Sequence, residues 1–438
     1  MKLYPFQEIG VSWLKTRENA LLADSMGLGK SCQAIIASIS PETERVLIVC
    51  PASLKYVWQR EIRKWVGNTD IIAIVDSKKP WASFAFWTIV NYDLLLNKEI
   101  YMSLLKHEYS IGIFDEAHYL KNGDAKRTKA VLMRGGLASR CKKKWYLTGT
   151  PILNRPIELY PMLKASAPEV MHPFTTYIGF AKYFCGGFYD NFGFNDRGAS
   201  HIDELNSALI KSGFMLRRTK EEVLPDLPEK TFEIIPVDVD AKKEFEFFWA
   251  KDDVSKKSFG DFFNKEDPGM LGKVAALRQY IAKEKIKHVL QHLKNLLQEK
   301  PKVVVFAHHR EIVDLLCGHL GEYKPVKVVG GMTAEAKDKA EQDFQTKSEV
   351  RLFVGNIQAA GVGLTLTAAD TVVFAELDWT PGNILQASDR IHRIGQKNAC
   401  VIQIFVTKDS IEEYILRRLV EKKEVCERVL QSNDSIFS

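Results

Sequence analysis

The stretch Ala23-Asp-Ser-Met-Gly-Leu-Gly-Lys-Ser31 decides how this chain is read. It follows a short apolar run, Asn19 to Ala23, and leads into the helix-like CQAIIASI at 32–39. A strand, a glycine turn and a helix in that order form a phosphate loop, because backbone N–H groups and a helix N-terminus then face the anion. Gly27 and Gly29 let the backbone turn tightly and come close to the phosphates. Lys30 is expected to reach the β- and γ-phosphates of ATP, and the Ser31 hydroxyl to bind Mg2+. Asp24, Met26 and Leu28 complete the expected nucleotide-binding loop. One feature departs from the GxxxxGK[ST] pattern: Asp24 stands where glycine is usual.

Working outward, Ile111-Gly-Ile-Phe-Asp-Glu-Ala-His118 is an apolar strand that ends in two adjacent carboxylates. Phosphoryl hydrolysis needs a metal ligand and a water-activating base side by side. Asp115 is expected to hold the Mg2+ through its water shell and Glu116 to orient and deprotonate the attacking water. His118 reads as a coupler to a neighbouring loop. Alone, such a string could be a solvated turn, and the upstream phosphate loop weighs against that.

The bulk composition frames these motifs. The 438 residues exceed one ordinary core, and 46% hydrophobic with 26% charged residues is a globular composition. A net charge of +6 fits many proteins that never touch nucleic acid, so charge decides nothing. No apolar run approaches membrane-spanning length, and the N-terminal MKLYPFQEIGVSWLK does not look like a secretory signal, so a soluble intracellular protein is expected. The seven cysteines form no CxxC pair, which points away from structural zinc and from a disulfide framework. His288 and His292 share a helix face without a third ligand, and an ordinary helix face is the better reading.

Two series of short apolar strands alternating with amphipathic helices predict an α/β fold with two parallel sheets. The strands of the first fall at 19–23, 45–50, 70–75, 86–90, 111–114 and 144–147. Those of the second fall at 302–307, 326–329, 351–354, 371–375 and 401–406. The expected division is a first lobe over 1–163, a helical aromatic-rich insertion over 164–214, a linker with a second helical insertion over 215–285, a second lobe over 286–408, and a C-terminal bracing helix over 409–438. Phe174, Tyr177, Phe180, Tyr183, Phe184, Phe188, Tyr189, Phe192 and Phe194 crowd the first insertion. They read as the core of a small helical subdomain, with a base-stacking surface as the alternative.

Ten ordered blocks resemble the Swi/Snf-type branch of superfamily two helicases. They are LYPFQEIGVSWL (3–14), LLADSMGLGKS (21–31), VCPASLKYVW (49–58), IVNYDLL (89–95), FDEAHYLKN (114–122), LTGTPILNRPIELY (147–160), MLRRTKEEVLPDLPEK (215–230), VVFAHH (304–309), AAGVGLTLTAADTVVFAELDW (359–379) and QASDRIHRIGQ (386–396). FAHH, GASHIDEL (198–205) and AELDWTPG look most similar to the annealing-helicase, fork-remodelling subgroup. The resemblance implies two tandem RecA-like domains with ATP bound between them. It implies that Gln7 reads the adenine and that Gln386, Arg390 and Arg393 face the γ-phosphate, where guanidinium groups suit the charge of a phosphoryl transition state. Ser25 and Ser388 depart from the branch, which usually carries glutamate there.

The resemblance further implies a double-stranded DNA track gripped through its backbone, with Lys55, Asn91, Lys121, Asn154, Thr365 and Trp379 as contacts on a face away from the ATP. The implied activity is an ATP-dependent translocase on branched DNA, by fork regression or Holliday junction migration. A translocase that displaces bound proteins and a nucleotide-gated DNA clamp are the alternatives. No histone-reading module, zinc finger or RING is recognisable, so a monomeric or weakly associating phage or bacterial protein in the cytoplasm is expected rather than a nuclear remodeller, with the nucleus as the location if the chain is eukaryotic.

Overall fold

The computed structural model describes residues 2–67, 71–77, 85–152, 155–190, 193–239, 268–361, 363–408 and 410–417. The chain divides into two units that meet in the sequence between Asp226 and Leu227. Each is built on its own parallel sheet. Among the described residues no helix is long and apolar enough to cross a membrane.

The first unit holds β1 (Asn19–Leu22), β2 (Val46–Cys50), β3 (Ile72–Ile74), β4 (Trp87–Asn91), β5 (Tyr109–Asp115), β6 (Cys141–Leu147), the hairpin strands β7 (Phe188–Asp190) and β8 (Gly193–Asn195), and the two-residue β9 (Met215–Leu216). Its main sheet runs β3-β4-β2-β5-β6-β1-β9. Every pairing in it is parallel. Helices cover both faces of such a sheet, so its central strands are near-continuous apolar runs, and every residue of β2 and β4 is buried.

The second unit holds β10 (Lys230–Val237), β11 (Val303–Ala307), β12 (Val326–Val328), β13 (Leu352–Asn356), β14 (Thr371–Phe374) and β15 (Cys400–Thr407), ordered β10-β15-β14-β11-β13-β12 and again parallel throughout. The 32-residue helix Pro268–Glu299 belongs to this unit. Val274, Leu277 and Ile281 enter one core, and Ala282, Val289, Leu293 and Leu297 enter the other. Lys285, 1% exposed, donates to the Phe405 carbonyl at 3.2 Å and pairs with Glu412.

All eleven expected strands are present within a few residues, yet the division of the chain differs from the expected one. The segment 215–285 is not simply a linker: β9 extends the first sheet beside β1, β10 is the edge of the second beside β15, and the expected boundary at 286 falls inside one continuous helix. The signals were weak for physical reasons. β9 has two residues, and β10, KTFEIIPV, has only one buried residue and a proline at 236, as an edge strand tolerates. Among the described residues, the buried aromatics of the insertion 164–214 do not form a separate core. Phe180, Phe184, Ile202, Leu205 and Leu209 join Leu21, Leu47 and Phe114 in one cluster. Phe174 stacks on Tyr183 at 3.9 Å, and Phe188 and Tyr189 on the hairpin are exposed. Phe192 lies outside the described residues, as does most of the expected C-terminal helix; Ile411 and Ile415 at its start are buried.

Phe306 on β11 is fully buried against Phe353 and Phe374. Phe306→Ala should lower unfolding stability by about 3–5 kcal/mol in urea denaturation. A midpoint equal to wild type would contradict this packing.

Candidate active site

All strands of the first sheet point the same way, so their carboxyl ends share one edge, where open α/β sheets place their ligand loops. Along that edge lie Asn91 at the end of β4, Lys55 after β2, Asp115 and Glu116 at the end of β5, Thr148 after β6, the loop 23–30 after β1, and Arg217 and Arg218 after β9.

The loop has the glycine geometry its sequence demands. Gly27 and Gly29 sit at φ 85° and 76°, a region that costs other residues strain, and Gly29 caps the helix Lys30–Ser38. The Lys30 ammonium donates to the carbonyls of Asp24 at 2.7 Å and Ser25 at 3.3 Å, so it lies inside the loop. A Cβ on Gly149 would come within 2.5 Å of Met26 and 3.2 Å of the Lys30 Nζ, so only glycine lets the Thr148–Thr150 turn press against the loop. Gln7, 4% exposed on the helix Pro5–Lys15, donates its amide to the Leu28 carbonyl at 3.1 Å. Ser31 is half-buried in the first turn of the following helix.

Asp24 takes a role that the motif did not suggest. It is fully buried, and its carboxylate receives Arg218 Nε at 2.9 Å, Arg218 Nη2 at 2.5 Å and Gln33 Nε2 at 3.1 Å. Arg218 also reaches the Phe6 carbonyl and Gln33 Oε1, and Arg217 donates to the Ala23 carbonyl at 2.8 Å. The carboxylate is thus turned into the protein, toward Arg218 and Gln33, rather than toward a nucleotide. Glycine is dispensable at position 24 because a two-pronged ion pair fixes the loop from behind. The LRRTK block was legible as a family mark but not as this clamp, since its partners are 194 residues away in sequence.

Asp115 and Glu116 form the second half of the site. Asp115 accepts Trp58 Nε1 at 2.7 Å and the Glu116 backbone N–H at 2.9 Å, and Tyr92 donates its hydroxyl to the Asp115 carbonyl at 2.9 Å. Burial, and then the neighbouring Glu116 charge, push the Asp115 carboxyl up to about 7 against these bonds and the pull of Lys30. Such a carboxylate pair fits a bound cation, which would favour the ionised form of Asp115. Among the described residues no three metal-binding side chains cluster, so a cation there must take most ligands from elsewhere. Glu116 itself adopts φ 49°, ψ 54°, a strained conformation for a non-glycine residue of the kind that concentrates at functional sites. His118 Nδ1 lies 3.3 Å from Glu116 Oε2 and 3.2 Å from Thr148 Oγ1, which joins the carboxylate to the turn that presses on the loop.

In the second unit the two expected finger arginines separate. Arg390 is 2% exposed and ties the chain together, from Nε to the Gln386 carbonyl at 3.1 Å and from Nη1 to the Leu364 carbonyl at 3.3 Å. Arg393 is only half-buried, with bonds to the Asp389 carbonyl at 3.2 Å and the Thr365 hydroxyl at 3.3 Å. Gln386 is 3% exposed, and Ser388 donates to its own helix at Leu385. His292 bonds Gln403 at 2.7 Å.

Three of the expected nucleic-acid contacts lie on the same sheet edge as the loop. Lys55, Asn91 and Lys121 all follow the carboxyl ends of β2, β4 and β5, the same edge as the phosphate loop, and β4 is four strand spacings, or about 19 Å, from β1. Lys55 donates to the Val75 carbonyl at 3.1 Å, Asn91 is buried, and Lys121 pairs with Glu158 at 3.2 Å. Thr365 touches Arg393, and Trp379 packs under Arg278 at 5.3 Å. Asn154 lies outside the described residues.

A glycine-turned loop with its lysine, beside a strand ending in paired carboxylates on a parallel sheet, is the layout of a P-loop nucleotide-binding site. Comparison with known proteins gives the family. Residues 6–296 match the SNF2-related domain and residues 284–395 the helicase conserved C-terminal domain, and the chain belongs to the SNF2-related family. It is 33% identical over 437 residues to the Xenopus tropicalis SWI/SNF-related matrix-associated actin-dependent regulator of chromatin subfamily A-like protein 1, covering 97% of this chain and 44% of that protein. It is 34% identical to the Bos taurus DNA annealing helicase and endonuclease ZRANB3, covering 97% of this chain and 40% of that one. The chain therefore spans less than half the length of these relatives. A solved Sulfolobus solfataricus SWI2/SNF2 ATPase core in complex with dsDNA aligns over 99% of this chain and 94% of that one at 23% identity, with a TM-score of 0.45.

Arg218→Ala leaves Asp24 as a buried unpaired charge and should cost about 3–5 kcal/mol of stability. Adding Asp24→Asn should return part of that loss. Equal urea midpoints for wild type and Arg218→Ala would remove the clamp from the account.

Proposed function

We propose that the chain is a DNA-stimulated ATPase motor that acts on branched DNA, moving forks or junctions at the expense of ATP. The observation that carries the reading is the single sheet edge on which the loop, Lys30 and the Asp115–Glu116 pair stand together, in a chain related over nearly its whole length to an annealing helicase.

The residues divide the reaction among them. Lys30 exchanges its loop carbonyls for phosphate oxygens, and the backbone N–H groups of Gly27 to Lys30 cradle the anion. Gln7, already against Leu28, stands where an adenine edge can be read. Ser31 and Asp115 fit Mg2+, which when bound neutralises phosphate charge. Glu116 orients a water, takes its proton as the oxygen attacks the γ-phosphorus, and is steadied by His118; the bond to the ADP oxygen breaks in line. Arg393, the more accessible arginine, serves the transition-state charge from the second lobe, while Arg390 holds the segment 364–366 in place. Backbone gripping makes DNA binding weakly sequence-dependent and strongly salt-dependent.

Lys30→Ala should abolish ATP turnover. Glu116→Gln should keep ATP and DNA binding and stop hydrolysis. Arg393→Ala should bind ATP yet lose about three powers of ten in turnover, whereas Arg390→Ala should lower thermal stability first. The deciding measurement is ATPase rate and strand processing over single strand, duplex, fork and four-way junction, with Lys30→Ala as control. Hydrolysis that ignores DNA, or forks processed no better than plain duplex, would overturn the proposal.

A further inference from the structure

Beside the DEAH strand, but outside the nucleotide site, the first unit contains a cavity of about 1040 Å³. It is framed by the chain following Lys121, the helix Lys126–Leu132, the helix Tyr160–Ser166 and the start of the helix Tyr177–Phe184. Its size is at the upper end of small-ligand sites, which run to about 1,000 Å³. Nothing in the proposed hydrolysis uses it.

Its lining is cationic and aromatic. Three of its carboxylates already face cations: Glu158 with Lys121 at 3.2 Å, Asp124 with Lys129 at 3.5 Å, and Asp196 with Arg155 at 3.7 Å. Arg134 and Lys164 also line it and meet no carboxylate among the described residues, so the lining has two cations in excess. The apolar surface is aromatic. Tyr160 is buried, and Tyr177, 42% exposed, meets it edge-on at 5.3 Å, which leaves ring surface open to solvent. The hydroxyl of Thr128, a residue only 2% exposed that lines the cavity, has no hydrogen-bond partner in the protein. A buried hydroxyl without a partner costs free energy unless something enters to satisfy it.

We infer that this cavity captures an unpaired nucleotide of branched DNA, with its base on Tyr177 and its phosphate between Arg134 and Lys164. Aromatic rings accept any base face, and excess cations accept the backbone, which is how single strands are held without sequence preference. A base paired within a duplex cannot enter such a pocket, so the site favours junctions with unpaired nucleotides over plain duplex. Lys121 ties the cavity to hydrolysis, since it follows Glu116 by five positions and pairs with Glu158 on the cavity wall. The inference rests on the proposed action on DNA for its biological meaning, but not for its test.

The test uses the full chain and a fork carrying 5-iododeoxyuridine in a two-nucleotide gap at the junction. Irradiation should cross-link the probe to the peptide containing Tyr177. In anisotropy measurements Arg134→Glu and Tyr177→Ala should weaken gapped-fork binding about tenfold while blunt-duplex binding and duplex-stimulated ATPase stay within about twofold, and Tyr177→Phe should behave as wild type. Cross-links that map only elsewhere, or equal losses on fork and duplex, overturn the inference. A cross-link at Tyr177 with DNA-independent ATPase would leave the cavity standing and sink the motor reading, and DNA-stimulated ATPase without the cross-link would do the reverse.

Discussion

The buried Asp24 carboxylate between Arg218 and Gln33 is the interaction on which the nucleotide site depends. Parallel pairing of β1 with β6 on one side and β9 on the other brings three carboxyl ends together, but register alone does not fix a loop of eight residues. The ion pair does, because a fully desolvated carboxylate has no acceptable alternative to its two-pronged guanidinium. Once the loop is fixed from behind, its glycines take their left-handed angles, Lys30 folds over the Asp24 and Ser25 carbonyls, and Gly149 can approach without a clash. The arginines directly follow β9, the last described strand of the first unit, and Arg218 stands 8 residues before the Asp226 boundary. The chain thus fastens its phosphate loop with the segment that leads out of the lobe.

A second constraint is electrostatic. Asp115 and Glu116 are adjacent in sequence and both largely out of water, and each disfavours the charge of the other. Trp58, Tyr92 and the Glu116 backbone N–H hold the pair in position without neutralising it, which is why burial and mutual repulsion still leave Asp115 so hard to ionise. The left-handed backbone at Glu116 adds strain of about 1–3 kcal/mol. A lobe that keeps two unfavourable features side by side holds them for chemistry, since apolar residues there would stabilise the strand more.

How much of this was legible depends on the range of the interaction. Runs such as VLIVC at 46–50 and VVVFA at 303–307 declare buried parallel strands locally, and the loop and the DEAH string declare their chemistry within a few residues. Pairings across nearly two hundred residues leave no such local mark. Nothing near Asp24 announces Arg218, so the irregular position looked like a flaw in the motif when it is the loop's anchor. Arg390 and Arg393 look equivalent in QASDRIHRIGQ, and only burial separates them, because three positions along the chain turn one guanidinium into the core and leave the other half in water. The aromatic crowd at 174–194 likewise could not say from sequence which rings were core, and it divides between Phe180 and Phe184 inside and Phe188 and Tyr189 outside.

The loop after β5 connects these strands of argument. Between Glu116 and Lys121 the chain makes one tight turn, Ala117–Leu120, whose His118 touches Glu116 and the Thr148 hydroxyl. Tyr119 in the same turn stacks on Tyr92 at 5.4 Å, and Tyr92 bonds the Asp115 carbonyl. Arg127 lies over the opposite partner of that stack, 5.2 Å from Tyr119, on the helix that carries Thr128 and Lys129. Packed rings and charge-assisted bonds transmit displacement because they have few alternative arrangements. The helix Lys126–Leu132 is thus linked to the carboxylate pair through three contacts, Arg127 to Tyr119, Tyr119 to Tyr92 and Tyr92 to the Asp115 carbonyl. The short turn stands between the two sites: Glu116 before it belongs to the hydrolytic centre, and Lys121 just after it lines the cationic cavity.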